Sequence, residues 1–308
     1  MTPISVERDA RSAGIAYALG AYLWWGLLPL YLRLLAPTPT AEILAHRISW
    51  SFATMLILLV CLRRLAWIGP ALARPALLGR FGVTAVLISV NWLLYIWSIN
   101  AGHVVDASLG YFINPLVNVL LGAALLGERL RRGQKFPLAI AALGVAWLTW
   151  QAGAPPWIGL ALAVSFSLYG LLRRSAPLGA LEGFTVETAL LTPCALGYLL
   201  WQFGHGGLEF AAAPSGMRWL LIAAGPMTTI PLLLFAAGAR RISFSLLGVL
   251  QYLSPTMQWL TGIFVLHEPF DPHKAVGFGL IWIALLLYAA DGARSGWQSS
   301  RTMTPGRR

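Results

Sequence analysis

Polar side chains recur at helical spacing inside two otherwise apolar stretches of the sequence. In the first stretch, Tyr111, Asn114 and Asn118 fall at positions i, i+3 and i+7, which share one face of a helix. Amide and phenol groups in such a place either hydrogen-bond to neighbouring helices or line a cavity and bind a solute. For any single residue, the spacing leaves both interpretations open. The second stretch has matching positions at Gln251, Ser254 and Gln258.

A proline accompanies each polar stripe near the middle of its stretch. Pro115 and Pro255 lack the backbone N–H that would bond to the carbonyl groups of Tyr111 and Gln251, four residues earlier. Those carbonyl groups need other partners or water, so both helices are predicted to kink. Two matching stripes beside two matching kinks favour a central substrate cavity over simple contact between helices.

A third apolar stretch adds Asn91 and Tyr95, which share a helical face and are predicted to line the same cavity. Trp92 and Trp97 of this stretch lie too deep for the aromatic belt at a membrane surface. Deep aromatic rings are typical of helix packing. Beside a polar stripe they also suit a flat aromatic or amphipathic solute.

Four ionisable residues inside apolar stretches are candidates for energy coupling or gating. Glu42 and His46 are four residues apart and face each other on one helix. Arg47 is either an outer anchor or structural partner of Glu42, or a group that handles solute or protons. Glu187 is the counterpart of Glu42 in the second half of the chain. Apolar surroundings favour the neutral form of both carboxyl groups, whereas the nearby Arg47 is expected to favour the charged form of Glu42. Glu187 is therefore the better candidate to carry a coupling proton.

Motifs of several enzyme classes are missing from the sequence. It contains no phosphate-binding P-loop, no HExxH zinc motif and no GxSxG nucleophile motif. We therefore expect a protein that is not an enzyme and has no cofactor and no metal site. The net charge of +11 is spread over six separate gaps, which indicates membrane topology rather than a nucleic-acid partner. Cys61 and Cys194 fall inside apolar stretches and are expected to be buried and unpaired.

Ten apolar stretches hold these residues, each close to the roughly 20 residues that a helix needs to cross a bilayer. The chain is 58% hydrophobic and only 11% charged. The predicted fold is an all-α integral membrane protein with ten transmembrane helices in a lipid bilayer. The stretches cover residues 14–35, 42–62, 78–100, 104–126, 135–151, 157–173, 183–202, 217–237, 242–266 and 273–290.

Basic residues alternate between the two sides of this topology. Of the 22 Lys and Arg residues, 18 lie near a terminus or around the gaps after even-numbered stretches. Because short cytoplasmic loops are rich in Lys and Arg, both termini are predicted to be cytoplasmic. The remaining four basic residues are Arg33, Arg47, Arg218 and Lys274.

The two halves of the chain resemble each other. Pro115 aligns with Pro255, and Glu128 aligns with Glu268 at the same shift of 140 residues. Each half holds five stretches, an odd number, so the second half must enter the membrane from the opposite face. Inverted repeats around a central site are a recurrent architecture of secondary transporters. The predicted units are a cytoplasmic segment 1–13, a first repeat 14–152, a second repeat 153–291 and a cytoplasmic tail 292–308.

Several segments carry a likeness to a known family. They are AEILAHRISWS (41–51), NWLLYIWSINAGHVVDASLGYFINPLVNVLLG (91–122), LGERLRRGQ (126–134), LYGLLRR (168–174) with residues 185–188, GVLQYLSPTMQWL (248–260) and HEPF (267–270). With these segments the chain resembles the RarD branch of the EamA-type drug/metabolite transporter superfamily from about residue 14 to 290.

The resemblance implies ten spans in two EamA repeats, a bacterial plasma membrane and transport of a small-molecule substrate. The family is commonly labelled a chloramphenicol-sensitive or chloramphenicol-resistance permease, which adds antibiotic resistance to the expectations. The expected function is therefore export of small metabolites or drugs by alternating access. The alternatives are uptake by the same fold, or a non-transporting scaffold or receptor subunit. Nothing in the sequence sets the oligomeric state.

Overall fold

Thirteen helices and no β-strand make up the residues that the computed structural model describes, which are 3–35, 37–101, 104–127, 132–151, 157–265 and 272–301. The aligned residues Glu128 and Glu268, and the predicted boundary between the repeats at 152–153, lie outside these ranges. In chain order the helices are α1 (Pro3–Leu34), α2 (Thr40–Cys61), α3 (Ile68–Leu72), α4 (Pro75–Asn100), α5 (Val104–Leu125), α6 (Arg132–Gln151), α7 (Trp157–Arg174), α8 (Ala180–Gly204), α9 (Glu209–Ala212), α10 (Ser215–Ala239), α11 (Phe244–Gln251), α12 (Leu253–Phe264) and α13 (Pro272–Arg301).

Five of these helices, α1, α2, α4, α8 and α10, are long and apolar enough to cross a membrane. Helices α5 and α13 carry shorter apolar runs, Gly110–Leu125 and Ala275–Tyr288. Helices satisfy their own backbone hydrogen bonds, which is what the interior of a bilayer requires. The chain is therefore a multi-pass membrane protein, as the sequence predicts.

The helices differ from the predicted stretches at several ends. Helix α1 begins at Pro3, ahead of the predicted start at residue 14, and α13 continues past residue 290 to Arg301. Two predicted gaps contain the short helices α3 and α9. The predicted ninth stretch is divided into α11 and α12, with Tyr252 between them.

The contacts between helices follow a two-fold pattern. Helices α1, α2, α4, α5 and α6 of the first half correspond in order to α7, α8, α10, α11–α12 and α13 of the second. Contacts of α10 with α1 and α2 match contacts of α4 with α7 and α8. The α5–α7 contact likewise matches α1–α12, while α2–α8, α5–α11 and α6–α13 each join a helix to its own counterpart. The main contacts are thus preserved when the two halves are exchanged.

Glycines let several of these helix pairs approach closely. A Cβ on Gly144 of α6 would lie 2.9 Å from the carbonyl oxygen of Gly277 on α13. A Cβ on Gly110 of α5 would lie equally close to the carbonyl oxygen of Gly159 on α7. Close backbone approach at small residues gives the dense packing on which helix association in membranes depends.

Cys61 and Cys194 correct one expectation. Both are unpaired, but both are exposed on the surface of the helices rather than buried. The expectation was wrong because apolar residues of a membrane protein face lipid as readily as they face the protein interior. Position inside an apolar stretch is therefore no sign of burial.

Candidate substrate cavity

A small cavity lies where helices from both halves of the chain meet. Helices α1, α2, α4, α5, α7, α11 and α12 all contribute to its wall. Its volume of about 40 Å³ is room for a few water molecules. The lining residues are Tyr22, Trp25, Leu28, Arg47, Asn91, Trp92, Tyr95, Gly110, Tyr111, Asn114, Leu162, Phe166, Gln251 and Ser254. Of the predicted cavity residues, this set includes Asn91, Tyr95, Tyr111, Asn114, Gln251 and Ser254.

Amides of α4 and α5 are fixed by hydrogen bonds to α7. Asn91 Nδ2 donates to the carbonyl oxygen of Leu162 and to Ser165 Oγ, both at 2.9 Å. Ser167 Oγ donates to Asn114 Oδ1 at 2.7 Å. These bonds orient the two amides at the cavity wall, so each side chain serves helix packing and the wall at once.

Asn118 and Gln258 are the two predicted cavity residues that do not line it. Asn118 lies one turn beyond Asn114 and donates through Nδ2 to Gln251 Oε1 at 3.0 Å. Gln258 Nε2 donates to the backbone oxygen of Trp25 at 3.2 Å. Both amides bond between helices instead, which is the alternative that their spacing left open. The two polar stripes do face each other, through Asn118 and Gln251.

The two predicted kinks differ in form. Helix α5 runs without interruption through Pro115, whereas α11 ends at Gln251 and α12 begins two residues later, ahead of Pro255. The missing N–H of Pro255 leaves the carbonyl group of Gln251 without its helical donor. Helices α5 and α11 approach at Gly248, where a Cβ would lie 2.9 Å from the Pro115 carbonyl oxygen. The break between α11 and α12 therefore lies beside the cavity wall, next to the lining residue Gln251.

Aromatic rings form much of the remaining wall. The rings of Tyr95 and Tyr111 meet edge to face with 5.3 Å between centroids. Trp25 meets Phe166 in the same way at 5.4 Å. Trp92 also lines the cavity. The wall therefore combines flat apolar surfaces with a few polar groups, a composition typical of small-molecule sites.

The positions of four aromatic residues differ from those expected from the sequence. Trp97 is exposed and lies 6.1 Å from the ring of Trp157, away from the cavity. Tyr22, Trp25 and Phe166 line the cavity although no polar stripe marks them. A signal existed for α1, because the motif that starts at Trp25 resembles the motif that starts at Tyr169 in the second half.

Arg47 is the one charged residue among the described residues of the cavity wall. Its side chain is only 3% exposed, and its guanidinium carbon lies 4.8 Å from the centroid of the Trp92 ring. Nε donates to Thr228 Oγ1 at 3.0 Å, while Nη1 is buried without a hydrogen-bond partner among the described residues. No described carboxylate lies within 4 Å of it, so Arg47 is not the structural partner of Glu42.

Glu42 and His46 lie outside the cavity wall and hold a short helix. Glu42 is fully buried and accepts hydrogen bonds from the backbone N–H groups of Glu209 and Phe210, at 3.1 and 2.8 Å. His46 Nε2 lies 3.7 Å from Glu42 Oε1, and its ring packs on Phe210 at 4.8 Å. We call this arrangement the Glu42 contact. It fixes α9, between α8 and α10, against α2.

Glu187 also lies outside the cavity wall, in what we call the Glu187 cluster: Glu187, Arg173, Thr84 and Tyr169. Arg173 Nε is 3.6 Å from Glu187 Oε1, and both side chains are buried. Thr84 Oγ1 and Tyr169 OH donate to the two carboxylate oxygens at 2.6 and 3.3 Å. Arg173 Nη2 donates in turn to the carbonyl oxygens of 179 and 180. The cluster thereby ties the start of α8 to α4 and α7.

Comparison with known proteins places this architecture in a family. The sequence model of the EamA-like transporter family matches residues 12–150. A Streptomyces exfoliatus protein named RarD is 45% identical over 96% of this chain and 94% of its own. The chain belongs to the RarD branch of the EamA-type transporters. As a member of this branch, it is a membrane transporter by family rather than an enzyme.

Further relatives of this RarD-branch transporter carry similar names. A Bacillus subtilis protein named "Uncharacterized transporter YojE" is 46% identical over 89% of this chain and 93% of its own. A Pseudomonas aeruginosa protein named "Chloramphenicol-sensitive protein RarD" is 34% identical over 91% and 95%. A crystal structure at 24% identity aligns with 91% of this chain and 99% of its own at a TM-score of 0.67, which bears on the fold alone.

Proposed function

We propose that the chain is a secondary transporter of ten membrane spans, built as two inverted five-helix repeats, 14–152 and 153–291. In this arrangement α11 and α12 together form the ninth span, and segments 1–13 and 292–308 are cytoplasmic. The distribution of Lys and Arg supports the orientation. The two-fold pattern of helix contacts supports the division into repeats. Because the named relatives are bacterial, the membrane is the bacterial plasma membrane.

The transporter moves small metabolites or drugs out of the cell by alternating access. The observation that carries this proposal is the cavity whose wall combines amides and aromatic rings from both halves of the chain. A site between two repeats becomes accessible to one side and then the other when the repeats rock against each other. The small volume of the cavity agrees with a state in which neither side admits a solute.

The Glu42 contact and the Glu187 cluster occupy corresponding helices, α2 and α8, in the two halves. Each ties a loop or a helix start to its neighbours through a buried carboxylate. In the inverted topology they belong to opposite ends of the bundle. They are therefore placed to act as gates that open in turn, with Glu187 taking up the coupling proton when its cluster opens.

The function is tested by measuring transport of a panel of labelled metabolites. The panel includes chloramphenicol because of the name of the Pseudomonas aeruginosa relative. The protein is placed in right-side-out and inverted vesicles, with and without a proton gradient. Export predicts gradient-dependent accumulation in inverted vesicles. Accumulation only in right-side-out vesicles would indicate the uptake alternative.

A cavity variant supplies the control. Asn114→Leu combined with Gln251→Leu replaces two polar groups of the wall and is expected to abolish transport. Cys61→Ser changes an exposed side chain outside the wall and is expected to leave transport intact. If no solute moves and the double variant behaves like the wild type in every assay, a non-transporting scaffold explains the protein better.

A further inference from the structure

Among the residues that the structure describes, no carboxylate lies within 4 Å of the buried charge of Arg47. Of the described lining residues of the cavity, Arg47 alone is ionised. Transfer of a cation from water into a protein interior is costly unless an anion or several hydrogen bonds compensate it. The Thr228 hydroxyl and the face of Trp92 provide partial compensation, while Nη1 has no described partner.

Arg173 shows how the same protein compensates a buried arginine elsewhere. Its Nε lies 3.6 Å from Glu187 Oε1 and its Nη2 donates to two carbonyl oxygens. Nε and Nη1 of Arg173 make no hydrogen bond to a described residue, so the nearby carboxylate is what sets Arg173 apart from Arg47. The guanidinium of Arg173 also lies 5.5 Å from the ring of Phe81. Arg47 has the aromatic neighbour and one neutral acceptor, but no carboxylate. The difference points to a partner that is brought into the cavity from outside the chain.

We propose that Arg47 binds the carboxylate of the transported solute, and that the solute class is small organic monocarboxylates with a flat apolar body. This inference rests on the proposed transport function. The planar guanidinium donates two parallel hydrogen bonds to a carboxylate, which fixes its orientation as well as its position. Trp92, Tyr95 and Tyr111 stand around the same space and offer ring surfaces to the rest of the solute.

The charge of the cavity favours a carboxylate over a phosphate. One guanidinium neutralises one negative charge, and the other described lining residues are neutral. A phosphate or phosphonate dianion would therefore keep an uncompensated charge in the wall. The phosphate of an anionic lipid is a second possible source of negative charge for Arg47. Nanodiscs with and without an anionic lipid distinguish lipid binding from binding of a free solute.

Binding requires movement of the walls. The volume of about 40 Å³ holds a few waters and is too small for an aromatic acid. Arg47 lies on α2, which packs against both α8 and α10, so opening of the bundle at these contacts changes the space in front of the guanidinium. A carboxylate bound there would add favourable energy to one state of the transport cycle and so shift its population.

The binding test uses phenylacetate, its neutral analogue phenylacetamide and its dianionic analogue benzylphosphonate. Thermal unfolding of the full-length protein is followed in nanodiscs of phosphatidylcholine and again with added phosphatidylglycerol. We expect phenylacetate alone to stabilise the wild type. Loss of one partner of a buried charge pair should weaken phenylacetate binding to the Arg47→Met variant about 30-fold or more. Arg47→Lys keeps the charge but not the two parallel donors, and is expected to bind with intermediate strength.

The stability of the ligand-free variants gives a second, independent measurement. Arg47→Met removes an uncompensated charge and is expected to raise the unfolding temperature by about 2–4 °C. Arg173→Met is the matched control, because it removes a compensated buried arginine and leaves Glu187 alone; it is expected to lower the temperature. A structural role for Arg47 predicts a decrease for both variants.

Several outcomes would overturn the inference. On the wild type, these are no stabilisation by phenylacetate, or equal stabilisation by phenylacetate and phenylacetamide. Unchanged binding of phenylacetate to Arg47→Met would also overturn it. So would Arg47-dependent stabilisation by phosphatidylglycerol alone or by benzylphosphonate alone. If Arg47→Met does not fold, the comparison of the three compounds on the wild type and Arg47→Lys still decides. Transport of neutral solutes that is indifferent to Arg47→Met would reject this inference and retain the proposed function. Arg47-dependent binding without any transport would reject the function instead.

Discussion

At the residue scale, the protein surrounds one buried carboxylate with two hydrogen-bond donors and one arginine. Glu187 receives hydrogen bonds from Thr84 and Tyr169 and pairs with Arg173. Such a carboxylate is held in place only while its partners stay together. In the proposed mechanism, the protonation of Glu187 is coupled to the opening of its contacts with α4 and α7.

Replacement of Glu187 with Gln tests this coupling. We expect loss of uphill transport with passive exchange retained, because the neutral amide cannot change its charge as the cluster opens. Stability should also fall by about 3–5 kcal/mol, because Arg173 is left buried without its counter-charge. Uphill transport and counterflow exchange are measured separately in proteoliposomes. Unchanged uphill transport would remove Glu187 from the mechanism.

The amide pair of Asn118 and Gln251 joins α5 to α11 behind the cavity. Asn118→Leu and Gln251→Leu should each destabilise the protein, because each leaves the other amide buried without its partner. The loss of stability in the double variant should be smaller than the sum of the losses in the two single variants. Thermal unfolding of all four proteins is expected to give a coupling energy of about 0.6 kcal/mol, with roughly 1.7 kcal/mol as the upper limit. Additive effects would show that the bond contributes nothing.

Sequence reasoning at this scale identified polar residues better than their partners. The spacing of Asn114 and Asn118 predicts one polar stripe, but only Asn114 lines the cavity, because Asn118 lies one turn further along α5 and donates to Gln251 of α11. Periodicity gives the face of a helix and not the neighbour that meets it. Trp25 belongs to a motif that recurs in the second half, but the likeness of the two motifs does not show that its ring faces a cavity.

At the element scale, the helices pair through small residues whose contacts are specific. Gly144 of α6 meets the backbone of α13 at Gly277, whereas Gly279, two residues further along α13, has no neighbour within 4 Å of where its Cβ would lie. The two positions look alike in the sequence. Only the arrangement of the helices distinguishes a glycine that is needed from one that is not.

The pair Gly144→Ala and Gly279→Ala tests that difference. The added methyl group at 144 would meet the Gly277 carbonyl oxygen and Ile281, and should destabilise the protein by about 1–3 kcal/mol. At 279 the methyl group meets open space and alanine is the better helix former, so stability should rise slightly. Thermal unfolding in detergent compares the two. Equal effects would contradict the close packing of α6 on α13.

The short helix α9 depends on a carboxylate of a distant helix. Glu42→Ala removes the acceptor of the Glu209 and Phe210 amide hydrogens. Hydrogen exchange at these amides should become about tenfold faster or more, because charge-assisted hydrogen bonds contribute about 1.5–3 kcal/mol. Glu182→Ala is the control, since Glu182 lies 3.8 Å from the exposed Arg64 and does not touch α9. Equal protection in both variants would rule out the Glu42 contact.

At the scale of the whole molecule, most sequence predictions depend on the lengths of the apolar stretches and on the uneven distribution of Lys and Arg between the gaps. A helix overlaps each predicted apolar stretch, with two helices in the ninth, because a bilayer requires segments that satisfy their own backbone hydrogen bonds. Which side of each helix faces lipid was beyond reach, as the exposed Cys61 and Cys194 show. Lipid and protein interior are both apolar, so hydrophobicity cannot separate them.

The topology makes a prediction that needs no substrate. Alkaline phosphatase fused after Arg132 should be inactive, because this gap is predicted to be cytoplasmic, where the enzyme does not fold. The same reporter fused after Gly153, one span later, should be active. Colonies are compared on a chromogenic phosphatase substrate, with immunoblots to normalise expression. Activity at Arg132 without activity at Gly153 would reverse the orientation.

The pairing of α6 with α13 also bears on how the protein is synthesised. About 120 residues separate the end of α6 from the start of α13, which is its main partner. At about 5–20 residues per second, the ribosome needs roughly 6–24 s to make them. During that time Gly144 of α6 has no backbone of α13 to pack against. Packing of α6 therefore depends on a helix that is made much later, and a chain that stops before α13 lacks the main packing partner of α6.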